Sequence, residues 1–168
     1  IAETYEIIEN NEFSFDDKLI LILAAIFHDI CKPVVTKEKE IFGKTRIVAP
    51  KHEEMGLSYL FYRFLDENEL SDEVKSHTLN LIGYHQKPKM LVIKNKNQWH
   101  YKFLTQETSG YLFYWHQMAD MRGRTCNDKD KQIEYIEEFK MFCEEYNGFD
   151  NISNLNLEVK NILNDNFE

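Results

Sequence analysis

The chain has 168 residues, 43% of them hydrophobic, 14% aromatic and 29% charged, with a net charge of -9, a balance that fits one globular domain over 1–168 and excludes a disordered chain. No apolar run approaches the roughly 20 residues that span a bilayer, and so acidic a chain excludes a broad basic face gripping the groove of duplex DNA, though not a small phosphate-binding cleft. Three widely spaced cysteines (Cys31, Cys126, Cys143) without a C-x-x-C pair exclude a disulfide framework or zinc ribbon and fit a reducing, cytoplasmic setting.

Only 3 prolines and 6 glycines occur, and the apolar spacing is mostly helical, which predicts an all-α fold. A first helix is expected over Ile1 to Glu9, with Tyr5 and Ile8 on one face. Ser14 is a natural N-cap, with Asp17 three residues on to favour the positive end of a second helix. That helix runs through LILILAAIFHDI, is apolar nearly all round and should be central and buried, until Pro33 stops it. Val34 to Pro50, centred on Phe42-Gly43, reads as a long loop or small irregular hairpin, a length often tied to function.

A third helix is predicted over His52 to Asp66. Ser71 caps a fourth, Asp72 to His85, with Val74, Leu81, Ile82 and His85 on one stripe. The lysine-rich stretch Gln86 to Gln98 reads as a polar surface excursion. Helical spacing resumes near Trp99 and continues through YLFYWHQMAD, with a break at Ser109-Gly110. Asp128 opens an amphipathic helix carrying Ile133, Ile136, Phe139 and Phe142 that should stop near Gly148. The asparagine-rich tail from Asn151 is expected to form one short terminal helix.

His28 and Asp29 stand side by side at the end of an apolar helix. An unpartnered carboxylate there is costly, and either a hydrogen-bonded core pair or a divalent cation would satisfy it. Basic residues recur near the candidate positions: Lys32, Lys51, Lys87, Lys89, Arg122 and Arg124. They fit phosphate contacts or an ordinary solvated face.

His28-Asp29-Ile30-Cys31-Lys32-Pro33 resembles the H-D-x-x-K-P segment of the HD superfamily of metal-dependent phosphohydrolases. His52-Glu53-Glu54-Met55-Gly56 resembles that family's second motif, H-E-x-x-G, and His85 in Leu81-Ile82-Gly83-Tyr84-His85 its third histidine. Asp120, in Ala119-Asp120-Met121-Arg122-Gly123-Arg124, resembles the closing aspartate. That last run is similar to the HD domains of tRNA nucleotidyltransferases and of polynucleotide-kinase-like RNA repair proteins. The motifs reach from Phe27 to Arg124, more than half of the chain.

The resemblance implies a single HD-type helical domain holding one or two divalent ions (Mn, Fe, Ni, Mg or Zn). His28, Asp29 and Asp120 would bind the first, and Asp29 would bridge to a second held by His52 and His85. Lys32 would hold a phosphate oxygen beside Asp29, with Arg122 and Arg124 either contacting substrate or fixing Asp120. His116, four residues before Asp120 and so on its helix face, is a further candidate for a phosphate contact or for supporting a ligand. Glu53 is either a proton acceptor or solvated, and His77 and His100 read as ordinary. The family also uses a histidine upstream of the HD pair, and none precedes His28 in this chain, which opens on Ile1. The expectation is that this ligand lies before Ile1, the alternative being a reduced site. The implied substrates are phosphate esters of RNA ends (2′,3′-cyclic phosphate or 2′-phosphate) or nucleotides; the other reading is a non-catalytic metal-binding regulatory or nucleotide-binding module.

Overall fold

A computed structural model describes residues 1–66 and 69–146. The predicted stop near Gly148 and the terminal helix after Asn151 lie outside the described residues. The chain is all-α apart from one hairpin: α1 (Ala2–Asn10), α2 (Phe15–Phe27), a short α3 (Lys32–Val35), strands β1 (Lys37–Ile41) and β2 (Lys44–Val48), then α4 (His52–Asp66), α5 (Asp72–Tyr84), α6 (Lys87–Ile93), α7 (Gln98–Thr105), α8 (Gly110–Arg122) and α9 (Lys129–Glu145). Among the described residues no helix is long and apolar enough to cross a membrane.

Helix starts follow their caps. Ser14 Oγ accepts the Asp17 N–H at 3.0 Å, and Ser71 Oγ accepts the Val74 N–H at 3.2 Å. Each hydroxyl satisfies a donor that has no intrahelical partner. Ser109 caps α8 in the same manner, at the predicted break.

Three features of the helices differ from the sequence-based expectation. In α1 the buried face carries Thr4 and Ile7, which turn toward α8, while Tyr5 is exposed. Helix α2 buries Ile20, Leu21 and Ala24 against α5 and α8 but leaves Ile26 in water, so it is central yet one-sided. The helix buried all round is α8, which hides residues from Leu112 to Met121 on every face. The third difference is at the HD segment. Helix α2 ends at Phe27, a turn covers residues 28–31, and Pro33 stands in the first turn of α3. A proline there loses nothing, because the N–H it lacks would have had no partner.

The lysine-rich stretch after Gln86 is also a correction. It folds into α6, with Pro88 and Leu91 buried against the neighbouring helices. Pro88 again starts a helix, and the apolar positions Pro88, Leu91 and Val92 make one face that the surrounding lysines obscure in the sequence. The main core gathers Ile20, Leu21, Leu81, Phe113, Ile136 and Phe139, with Tyr101 stacked on Phe139 at 5.9 Å between ring centroids.

The Val34 to Pro50 stretch is the hairpin alternative. Strands β1 and β2 pair antiparallel from Lys37↔Val48 to Ile41↔Lys44. The two-residue turn, Phe42 (φ 51°) and Gly43 (φ 71°), has both residues at positive φ, as the twist of a tight hairpin requires. The Phe42 side chain at its tip is 99% exposed.

Candidate metal centre

The turn after α2 carries His28 and Asp29, α4 begins with His52, α5 is closed by His85, and Asp120 lies in the last turns of α8. Four helix ends thus deliver five side chains to one place. His28 Nε2 lies 3.3 Å from Asp29 Oδ2 and 3.5 Å from Asp120 Oδ1; His52 Nε2 lies 3.3 Å and His85 Nε2 3.9 Å from Asp29 Oδ1. Two ligand groups result, Asp29 with His52 and His85, and His28 with Asp29 and Asp120, the donor atoms of each lying within 4.8 Å of one another. Asp29 belongs to both.

The backbone decides which nitrogen each ring offers. His28 Nδ1 sits 3.2 Å from the carbonyls of Ala24 and Ala25, His52 Nδ1 2.7 Å from that of Ala49, and His85 Nδ1 2.8 Å from that of Ile82. A carbonyl only accepts, so each Nδ1 carries the proton and donates. In the neutral ring Nε2 is then a bare lone pair. His52 Nε2 and His85 Nε2 face each other at 3.2 Å, a contact that repels when both nitrogens are bare and that either a proton or a metal cation between them relieves. His28 Nε2 and Asp29 Oδ1 are buried without a hydrogen bond of good geometry, although His28 Nε2 lies 3.3 and 3.5 Å from carboxylate oxygens and Asp29 Oδ1 3.3 Å from His52 Nε2. Inward nitrogens and carboxylate oxygens of this kind suit a borderline divalent cation, and the outward carbonyls are the supports that metal-binding histidines use.

Charges follow from the same placement. Burial alone would lower the His28 pKa, but the carboxylates of Asp120 and Asp29 outweigh it and push it up to about 9. Burial alone would likewise raise the two carboxyls; instead His28 and Lys32 hold Asp29, and His28 and Arg124 hold Asp120, well below the usual carboxylate range. Burial, against the pull of the Ile82 carbonyl and with the charges of His28 and His52, lowers His85 to about 4. His85 is therefore neutral at pH 7 and its Nε2 is open to a cation.

The expected phosphate-binding residues separate into groups. Lys32 Nζ donates to Asp29 Oδ2 at 2.5 Å, and Arg124 reaches Asp120 at 2.6 Å. Both cations hold a carboxylate of the cluster while staying about one-third exposed. Arg122 is exposed, and its charge acts on Tyr114, eight residues back along α8. His116 is 2% exposed, its ring 5.1 Å from that of His28, and neither of its nitrogens has a hydrogen-bond partner among the described residues. It lines a cavity of about 160 Å³ with Thr4, His28, Asp120 and Arg124. Burial, reinforced by His28 and His85, keeps its pKa well below the ordinary value. Glu53 Oε2 lies 3.1 Å from His52 Nδ1, a second acceptor that supports that ring. His77 is tied to Thr108 and His100 to Asn97, both outside the cluster.

Sequence reasoning underrated Lys89. On the α6 face that had read as surface, it is partly buried with Asp120, Arg124 and Lys32 as charged neighbours, and burial, then the Arg124 charge, lowers its pKa. The usable signal was Pro88, which places Lys89 in the first turn of a helix beginning two residues after His85. Gln117 was missed as well: its Nε2 donates to the His85 carbonyl and fixes the end of α5 against α8.

The family model described as HD domain matches residues 1–119. The span takes in His28, Asp29, His52 and His85 and stops one residue short of Asp120. Comparison with curated proteins and with solved structures gave no match.

Proposed function

The chain belongs to the HD domain family, whose members are generally metal-dependent hydrolases, and on that premise we propose that it hydrolyses phosphate esters of RNA ends, 2′,3′-cyclic phosphates or 2′-phosphates, or of small nucleotides, in the cytoplasm. The observation that carries the metal-dependent reading is the pair of histidine lone pairs facing each other at 3.2 Å beside a carboxylate shared by two ligand groups.

His28, Asp29 and Asp120 would hold one divalent ion, and Asp29, His52 and His85 a second. Such ions acidify a water for attack on phosphorus and neutralise charge gathering on the phosphoryl oxygens. The protein's own groups do the rest. Carbonyls of Ala24, Ala25, Ala49 and Ile82 hold the rings so that only Nε2 faces inward. Arg124 keeps Asp120 ionised and oriented. Lys32 does the same for Asp29 and, one-third exposed, has N–H donors left for a phosphate oxygen. Lys89 adds positive potential on the α6 side, and His116 lines the cavity beside His28. With a cyclic phosphate, one bond forms from water oxygen to phosphorus and one ribose oxygen–phosphorus bond breaks. The displaced ribose oxygen takes the proton, leaving a monoester and a hydroxyl.

The test offers the manganese-loaded protein an RNA oligonucleotide ending in a cyclic phosphate, alongside mononucleotides. Cleavage is expected, and Asp29→Asn should abolish both turnover and metal binding. A ligand at one hundred times its Kd should stabilise the wild type by about 2.7 kcal/mol, a gain that Asp29→Asn loses. Metal binding with no ester cleaved under any divalent ion would overturn the hydrolase reading in favour of a non-catalytic metal-binding module.

A further inference from the structure

Helices α5, α6 and α7 enclose a cleft of about 620 Å³, within the range of small-ligand sites. Glu53, whose carboxylate lies 3.1 Å from His52 Nδ1, and Gln86, the residue after His85, are among its lining residues, so the cleft adjoins two of the candidate ligands from behind their rings. Among its lining residues Trp99 is 64% and Phe103 58% exposed, their rings stacked at 5.3 Å and 22°. Two large ring faces left open to water side by side mark a contact surface rather than core. Lys87, the first residue of α6, and Lys94 and Lys96, just past its last, also line the cleft, and their ammonium groups make no hydrogen bond or ion pair among the described residues. The acidic groups on the lining are partly engaged, Glu53 by His52 Nδ1 at 3.1 Å and Glu107 by Asn80 at 3.5 Å.

We propose that this cleft holds a single-stranded RNA segment whose terminal phosphate sits at the ligand cluster, with one base stacked on Trp99 and the strand's phosphates met by Lys87, Lys94 and Lys96. The assignment rests on the phosphohydrolase reading and deepens it. Stacking faces combined with cations along a groove are what single strands use regardless of sequence. Lys94 stands seven positions after Lys87, roughly 10 Å along the axis at 1.5 Å per residue. Cations so spaced can follow successive phosphates of a strand. Three unpaired lysines on one cleft of so acidic a chain also point to a local strand and away from a duplex face.

Tryptophan fluorescence of the full chain, titrated with a short single-stranded RNA, tests the assignment. Base stacking is expected to quench Trp99. Trp99→Ala should weaken binding about tenfold or more, Trp99→Phe should restore most of it, and a strand of the same length without bases should bind the wild type no better than RNA binds Trp99→Ala. Equal binding of the abasic strand, an indifferent Trp99→Ala, or a mononucleotide binding as tightly as the strand would overturn it. The titration is repeated on Asp29→Asn. Base-dependent binding that persists there supports the cleft even if the chain proves not to hydrolyse, and its absence in a wild type that binds manganese and cleaves small esters sinks the cleft alone.

Discussion

Two glycines in the paired helices that bring His52 and His85 together should respond to alanine with opposite signs. At Gly83 in α5, an added Cβ would stand 2.8 Å from Leu57 Cδ2, 3.3 Å from Leu57 Cβ and 3.4 Å from Leu57 Cγ. The first contact is with the movable end of a side chain, but the second is with an atom anchored to the α4 backbone. At Gly56 in α4, the nearest atoms would be Ile82 Cγ2 at 3.5 Å and Ile30 Cγ2 at 3.8 Å, ordinary contact. Alanine gains roughly 1 kcal/mol over glycine in a helix interior, and overpacking costs typically about 1–3 kcal/mol. Gly56→Ala should therefore stabilise by up to about 1 kcal/mol, while Gly83→Ala should destabilise by about 1 kcal/mol, a Tm change of about 2–4 °C each way for a chain of this size. The same strain at Gly83 would push α4 from α5 and widen the His52–His85 pair, so metal affinity should fall only in that variant. Denaturant melts with and without metal, together with isothermal titration of manganese, measure both effects. If Gly83→Ala is as stable as Gly56→Ala, the helix contact is looser than the distances imply and the reasoning fails.

The metal-free protein should show a distinct pH profile. His28, raised from 6.5 to about 9, contributes stability that is fully present below about pH 6.5 and lost as pH rises through about 9. At 1.36 kcal/mol per pKa unit the ceiling is about 3 kcal/mol. Below pH 6.5 the lowered His85 acts in the opposite sense, so the decline belongs to the window between the two His28 values. Urea melts in chelator that stay flat from pH 6.5 to 9 would contradict the assignment, and adding a divalent ion should remove the decline. At the hairpin tip, Phe42 holds φ 51° and is 99% exposed. Asparagine tolerates that backbone better, so Phe42→Asn should slow amide hydrogen exchange in β1 and β2 by the equivalent of up to about 1 kcal/mol; unchanged exchange would mean the turn carries no strain.

The residues that the structure gathers into a candidate metal centre were legible because they lie at helix ends marked by ordinary signals: the apolar run before His28, the Ser71 cap before His85, and motif spacing at His52 and Asp120. The bonds from Lys32 to Asp29 and from Arg124 to Asp120 follow from spacings of three and four residues, although those lysine and arginine side chains had also read as substrate contacts. Polarity concealed α6, whose few apolar residues are enough because neighbouring helices cover them. The carbonyls behind the histidine rings and the cleft before Trp99 were invisible in the sequence. The first depend on backbone that every residue shares, and the second exists only once α5, α6 and α7 are docked.

Each histidine ring is anchored within a single turn of its own chain: His52 to Ala49, His85 to Ile82, His28 to Ala24 and Ala25. The aim of each Nε2 can therefore be set as soon as its local turn forms, before any helix has found a partner. Bringing His52 and His85 together, 33 residues apart, requires the finished packing. A compact state with helices intact but packing fluid would hold three correctly turned histidines and no assembled site, so metal affinity would report tertiary order, while helix content is silent about it.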